Sequence, residues 1–121
     1  WQWKTLSAEE SFLIQPFIEN AIWHGLLPKK GDKFLSISFE LINEKILSCT
    51  IEDNGVGRAK AGQVEPIEKK KSLAINFIKQ RLLLYSKLEK TEYKVQITDK
   101  LSTQGSAEGT RVVLTLPIIY N

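Results

Sequence analysis

Two successive runs of alternating apolar and polar residues, spanning residues 33–53, constrain the fold most strongly. The first run spans residues 33–42 and alternates strictly over residues 35–41, and the second run, Ile46–Asp53, is again rich in apolar side chains. Only Asn43, Glu44 and Lys45 separate the two runs, which is the length of a short hairpin turn. Alternation with a period of two is typical of half-buried strands. The segment therefore predicts an antiparallel hairpin.

Helical signals precede this hairpin. Ser7 and Glu10 have the spacing of a capping box, which indicates the start of a short helix or turn within the opening segment 1–14. Pro16 is best explained as the first residue of a new helix, because its missing N–H costs nothing there. That helix is predicted over residues 15–24, with Gly25 as its C-cap. Its core-facing residues are expected to be Phe17 and Ala21, with Ile18 and Ile22.

The second half of the chain repeats the order of helix and strands. Residues 58–71 are polar and show neither period, so they are predicted to be a mobile loop. Ser72 is predicted to cap a helix that runs to Leu88, with an inward stripe of Leu73, Phe77, the Arg81 stem and Leu84. Strands follow at residues 93–98 and 111–118. This order predicts an α+β fold, a two-layer sandwich in one domain over residues 1–121.

Composition excludes several classes of function. A chain of 121 residues closes a single core, and none of its apolar runs is long enough for a membrane span. The only cysteine, Cys49, excludes a disulfide framework and predicts a buried, reduced thiol. A net charge of +3 without interleaved aromatic and basic residues gives no indication of nucleic-acid binding. Because the chain begins at Trp1 and has no Met, we expect it to be a piece of a longer protein.

The first helix carries polar residues suited to metal and proton chemistry. Asn20 and His24 are four residues apart and share a face of a regular helix. The amide oxygen of Asn20 suits Mg²⁺, which binds few protein ligands and keeps most of its waters. Glu19 can hold a metal-bound water or accept a proton. The alternative is that these residues form only the solvated face of an amphipathic helix.

A second candidate site follows the hairpin, at residues 53–57 (DNGVG). Asp53 ends a predicted strand, where its carboxylate can accept a hydrogen bond from the exocyclic amine of adenine. Asn54-Gly55 is a strong turn signal, so a plain tight turn is the alternative. That alternative leaves Gly57 unexplained, whereas a second glycine lets the backbone approach a flat ligand closely.

These segments resemble boxes of a known family. Residues 15–25 (QPFIENAIWHG) resemble the N box of histidine kinases related to bacterial autolysin-regulating sensors, typically QPLVENAIKHG. Residues 53–57 resemble the G1 box of the ATPase superfamily of gyrase, the heat-shock-90 chaperones, histidine kinases and MutL. Gly109-Thr110 resembles the last element of that superfamily. The chain is thus similar to the ATP-binding domain of a sensor histidine kinase (the Bergerat fold), although Trp23 replaces the usual Lys.

The resemblance implies roles for individual residues. Asn20 would bind Mg²⁺, Glu19 would assist phosphoryl transfer, and His24 would lie near the phosphates. The adenine pocket would be formed by Asp53, Gly55, Gly57 and Thr110. Lys71 and Ser72 would contact phosphate at the start of the helix that follows an ATP lid at residues 58–71. The fold would be a mixed, mostly antiparallel sheet packed against helices.

The resemblance also implies partners that lie outside this chain. The only histidine is His24, inside the predicted Mg²⁺ box, so the ATP γ-phosphoryl would pass to a histidine on a separate upstream dimerisation segment. An Asp of a response regulator would receive it next, and the upstream segments would form a homodimer. The domain would be cytoplasmic, in a protein anchored to the inner membrane. Ser72 and Ala74 replace common glycines, which leaves two alternatives: a non-catalytic scaffold, or another ATPase of the superfamily.

Overall fold

The computed structural model of the protein describes residues 5–57 and 67–119, with the backbone alone described at residues 67–72. Two helical regions and four strands alternate along this part of the chain. In order, they are α1 (Ala8–Asn20), a π-helical segment (Ala21–Leu26), β1 (Leu35–Leu41), β2 (Ile46–Asp53), α2 (Ile67–Glu89), β3 (Lys94–Leu101) and β4 (Ala107–Pro117).

The four described strands form one sheet in the order β1-β2-β4-β3. All three pairings between them are antiparallel, and the β1–β2 hairpin runs in register from Leu35 opposite Asp53 to Leu41 opposite Leu47. The two helices supply the other layer of the core. The predicted α+β two-layer fold is therefore confirmed. It places β2, which ends at Asp53, and β4, in which Thr110 lies opposite Asp53, at the centre of the sheet.

The predicted capping box starts α1. The Ser7 N–H donates to Glu10 Oε1 over 2.8 Å, and the Glu10 N–H donates to Ser7 Oγ over 3.1 Å. Glu10 is fully buried, and its second oxygen accepts the Ile119 N–H over 3.0 Å. One carboxylate thus satisfies backbone donors at both ends of the described chain.

The predicted helix break at Pro16 is wrong. Pro16 lies inside α1, which continues to Asn20 without interruption. Leu13, Ile14 and Phe17 are all buried on this helix, so packing on both sides of the proline offsets the hydrogen bond that its nitrogen cannot donate. The predicted C-cap at Gly25 is also wrong, because the chain passes into the π-helical segment and the Leu27 N–H bonds to the Ile22 carbonyl over 2.9 Å.

The helix α2 differs from its prediction at its start. It begins at Ile67, so Ser72 is not its N-cap and residues 67–71 are helical rather than part of a loop. Residues 58–66, the rest of the predicted ATP lid, lie outside the described residues. The ion pair of Arg81 with Glu9 joins α2 to α1, and Tyr85 donates to the same carboxylate over 3.2 Å.

The face that α2 turns to the core also differs from the prediction. Ile78 and Leu82 are buried, whereas the predicted stripe is exposed, with Leu73 at 66%, Phe77 at 51% and Leu84 at 56%. Both rows of apolar residues have helical spacing, so the period alone does not show which row faces the sheet. The sheet contributes the rest of the core, chiefly from β2 and β4: Leu47, Cys49, Ile51, Val112, Leu114 and Leu116.

Cys49 is a free thiol in the centre of this core, as predicted. Burial raises the pKa of the thiol to about 11, since the thiolate would lose its hydration there. No helix in the described part of the chain is long and apolar enough to cross a membrane.

Candidate functional site

The candidate site centres on Asp53, the last residue of β2. Its side chain is buried, with 5% of the residue exposed. The Gly55 N–H donates to Asp53 Oδ1 over 2.8 Å, and Asp53 lies opposite Thr110 in the sheet. A carboxylate has about four lone-pair sites, so it can accept further hydrogen bonds from a ligand.

The protonation of Asp53 is set by opposing effects. Burial raises the pKa of its carboxyl above the ordinary value, because the charged form loses hydration. Backbone N–H groups of Gly55 and Thr110 and the charge of Lys100 act in the opposite direction. The effect of burial is the largest, so the pKa of Asp53 is raised and its ionised form is destabilised in the folded protein. A ligand that supplies a hydrogen-bond donor would stabilise that ionised form.

The turn after Asp53 is anchored by Asn54. Asn54 Oδ1 accepts the Phe34 N–H over 2.7 Å, and its Nδ2 donates to the Asp32 carbonyl over 3.1 Å. The Asn54 N–H in turn donates to the Phe34 carbonyl over 3.2 Å. The side chain that signals a turn in the sequence therefore also ties that turn to the chain leading into β1.

Gly55 lies directly against the π-helical segment. A Cβ at Gly55 would lie 2.3 Å from both the carbonyl carbon and the oxygen of Gly25, and 2.5 Å from its Cα. The Val56 N–H donates to that same Gly25 carbonyl over 3.0 Å. The missing side chain of Gly55 thus allows two backbone segments to touch, and its role in shaping a nucleotide pocket stays a prediction.

Gly109 and Gly57 are glycines for a conformational reason. Gly109 has a φ of +115°, and a Cβ there would lie 2.0 Å from the Asp53 carbonyl oxygen. Gly57 has a φ of +86°, with the Ala107 Cβ only 3.0 Å from its own Cβ position. A residue with an L side chain rarely adopts a positive φ of this size, so both positions require glycine. Gly109 thereby allows β4 to meet the Asp53 turn directly before Thr110.

The helical side of the site carries Glu19, Asn20 and His24. The Asn20 Oδ1 atom is buried and has no hydrogen-bond partner among the described residues. A buried amide oxygen without a partner is costly, and it fits the hard-oxygen preference of Mg²⁺. Glu19 accepts a hydrogen bond from Gln15 Nε2 over 3.0 Å.

His24 lies in the π-helical segment rather than on a regular helix, and it is half-buried. Hydrogen bonds between residues five apart widen the helical turn. A turn of this width takes more residues than an α-helical turn, so two positions four residues apart stay on nearly the same side of the helix, and the shared face of Asn20 and His24 stays a prediction.

Lys100 is a charged neighbour that sequence reasoning missed. Its Nζ donates to the Asp53 carbonyl over 3.3 Å and lies 3.5 Å from Glu52 Oε2. Glu52 also pairs with Arg111, and the Arg111 hydrogen bond holds the pKa of Glu52 below its ordinary value. The β3 strand was predicted to end at residue 98, and a register shift between Asp99 and Leu101 brings Lys100 to this position. No residue pattern signals that shift.

Lys71 and Ser72 lie within α2, past its first turn. Their predicted position at the N-terminus of this helix is therefore wrong, since the first unpaired N–H groups belong to its start near Ile67. Their predicted contact with phosphate stays a prediction. The residues that the described structure does bring together are Gly25, Asp53, Gly55 and Gly109, with Thr110 paired to Asp53.

Comparison with known proteins bears on the fold. No protein-family model matches the chain, and no curated protein matches it in sequence. The histidine kinase domain of the EL346 blue-light activated histidine kinase of Erythrobacter litoralis matches in structure with a TM-score of 0.57 at 15% identity, covering 88% of this chain and 42% of that chain. The chain has a histidine-kinase-like fold.

A second structure of the Erythrobacter litoralis EL346 blue-light activated histidine kinase gives the same result. Its TM-score is 0.59 at 16% identity, covering 88% of this chain and 28% of that chain. The chain thus spans less than half the length of either solved structure. At this identity the likeness extends to the fold, and the autolysin-sensor subtype stays a prediction.

Proposed function

We propose that this domain binds ATP with Mg²⁺ and is the catalytic ATP-binding domain of a two-component sensor histidine kinase. The observation that carries the proposal is the buried Asp53 carboxylate at the end of a central strand, which is bordered by Gly25 and accepts the Gly55 N–H. A buried carboxylate with remaining acceptor capacity is suited to a ligand that brings its own N–H donors. The histidine-kinase-like fold supports the same assignment.

Asp53 would recognise adenine by accepting a hydrogen bond from its exocyclic amine. Such a bond to a charged acceptor in a poorly hydrated site is stronger than one between neutral groups. The Gly55 N–H fixes the carboxylate in place before the ligand arrives, so little freedom is lost on binding. Thr110, opposite Asp53 in the sheet, would bind an adenine-side water with its hydroxyl.

Asn20 would supply the protein ligand for Mg²⁺ through its buried Oδ1 atom. The bound ion would neutralise charge on the phosphates, which take further coordination positions. Glu19 would position or deprotonate the attacking group, and His24 would lie near the phosphates. Phosphoryl transfer needs mainly positioning and charge stabilisation from the protein, so a small set of side chains is enough.

The phosphoacceptor would be a histidine on an upstream dimerisation segment, and a response regulator would receive the phosphoryl group next. His24 is the only histidine of this chain and stands in the helix that carries Asn20. The domain would therefore bind ATP without completing phosphotransfer alone. We place it on the cytoplasmic side of a membrane-anchored, homodimeric sensor.

Titration of the purified domain with a fluorescent ATP analogue, with and without Mg²⁺, tests this proposal. We expect binding in the micromolar to sub-millimolar range for the wild type, loss of binding in Asp53→Asn, and loss of Mg²⁺ dependence in Asn20→Ala. Asp32→Asn and Asn43→Ala are matched controls, because they make the same two substitutions at exposed loop positions. Absence of wild-type binding at millimolar nucleotide would exclude the proposal.

One observation favours a second candidate, a non-catalytic scaffold with the same fold. Because α2 begins at Ile67, the backbone at Lys71 and Ser72 lies past the first helical turn, where amides bond within the helix rather than to phosphate. Ser72 and Ala74 also replace glycines that are common in related kinases. The scaffold predicts no nucleotide binding in the titration, whereas the kinase domain predicts binding that depends on Asp53.

A further inference from the structure

Gly25 lies as close to the Asp53 carboxylate as a residue can without displacing it. A Cβ built on Gly25 would be 3.0 Å from Asp53 Oδ1, 3.2 Å from Cγ and 3.4 Å from Oδ2. The nearest of these atoms is Oδ1, the oxygen that accepts the Gly55 N–H over 2.8 Å. Gly25 therefore borders the same oxygen that anchors the carboxylate.

The backbone of Gly25 is held in this position by the turn itself. Its carbonyl is one of the last in the helix, where carbonyl groups have no N–H partner within the helix. It accepts the Val56 N–H over 3.0 Å instead. The close contact with Gly55 prevents the two segments from approaching further. The π-helical segment thus cannot move inward, and moving outward costs the Val56 hydrogen bond.

We propose that Gly25 is a positioning residue for Asp53, and that its missing side chain sets where the carboxylate meets the amino group of adenine. The inference rests on the proposed ATP-binding function. It assigns Gly25 a role in base selectivity rather than in ending a helix. It also links the helix that carries Asn20 to the adenine-recognising carboxylate through a backbone contact.

A methyl group at Gly25 should displace the carboxylate. Moving Oδ1 from 3.0 Å to an ordinary contact requires a retreat of a few tenths of an ångström. The retreat strains the Gly55 hydrogen bond and misaligns the acceptor for the adenine amine. Hydrogen bonds to charged groups are sensitive to geometry, so we expect about a tenfold loss of ATP affinity.

Comparison of ATP with ITP isolates this effect, because ITP has an oxygen in place of the adenine amino group. Gly25→Ala should lower the preference for ATP over ITP about tenfold, while the affinity for ITP stays near that of the wild type. Gly105→Ala is the control, since Gly105 has a φ of +81° and nothing within 4 Å of its Cβ position. It should lower stability and leave the ratio of the two affinities unchanged.

The outcomes separate this inference from the proposed function. If the wild type prefers ATP and Gly25→Ala keeps that preference, or loses ATP and ITP affinity equally, the positioning role is wrong while ATP binding stands. If the wild type binds neither nucleotide, the proposed function fails and the inference fails with it.

A double variant covers the case in which Gly25→Ala does not fold. Adding Asp53→Ala removes the atoms that the new methyl group would contact. The melting temperature of Gly25→Ala/Asp53→Ala should therefore recover to that of Asp53→Ala alone. Failure to recover would show that the methyl group acts through other atoms and would overturn the positioning role.

Discussion

Replacing Gly55 by Ala tests the contact on which the site depends. The new Cβ would lie 2.3 Å from the carbonyl carbon and oxygen of Gly25, about 1 Å inside ordinary contact distance. Both atoms are backbone, so no side chain can rotate away, and the two segments must separate by about that amount. The Val56 hydrogen bond would lengthen from 3.0 Å to about 4 Å and be lost. Loss of this partly buried hydrogen bond and overpacking each cost about 1–3 kcal/mol, so we expect a total of about 2–6 kcal/mol.

Urea denaturation followed by far-ultraviolet circular dichroism measures this cost as a change in the free energy of unfolding. Gly105→Ala is again the reference, because its cost of about 1–2 kcal/mol comes from the positive φ alone. The reasoning would be refuted if Gly55→Ala were no more destabilising than Gly105→Ala. The two segments could then separate freely, and the contact would not hold the turn in place.

Three further predictions concern buried ionisable groups. At pH 7, Asp53→Asn should have a melting temperature equal to or above that of the wild type. The difference in melting temperature should shrink as the pH falls through the raised pKa of Asp53 in the folded state, because the wild-type carboxyl then becomes neutral. Glu10→Gln should lose about 1–3 kcal/mol in urea denaturation, since Ser7 and Ile119 both donate to this buried carboxylate. Cys49, with a pKa of about 11 and no exposure, should react with a thiol reagent only through unfolded molecules; fast reaction in the native state would contradict its burial.

The hairpin and the capping box were predictable because their signals are local. The bounds of β2 agree with the prediction at Ile46 and Asp53, since alternation, turn and strand end are all encoded within a few residues. Ser7 and Glu10 similarly satisfy each other's backbone groups within a single turn. Where the partner lies within about four residues, the sequence alone specifies the contact.

The errors concern choices that depend on distant packing. Pro16 is a reasonable helix start on local grounds, yet burial of α1 on both sides keeps it inside one helix. The two apolar rows of α2 have the same period, and only the position of the sheet decides that Ile78 faces inward while Phe77 does not. Periodicity gives the type of element, whereas its orientation follows from the rest of the fold.

The candidate site shows a third limit of prediction from sequence, because its geometry depends on two glycines, which have no side chain. Gly25 was predicted to end a helix and Gly55 to border a ligand, yet the two are in contact with each other. A glycine carries no chemical signal of its partner, so the sequence indicates Asp53 as the proposed recognising group but does not indicate which backbone segments surround its carboxylate. If Gly25 and Gly55 set the position of that carboxylate, a substitution at either glycine should change the preference for adenine. The change should be larger than that caused by substituting an exposed polar residue near the carboxylate. Selectivity in this domain would then be encoded as much by the closeness of two backbone segments as by the carboxylate that contacts the ligand.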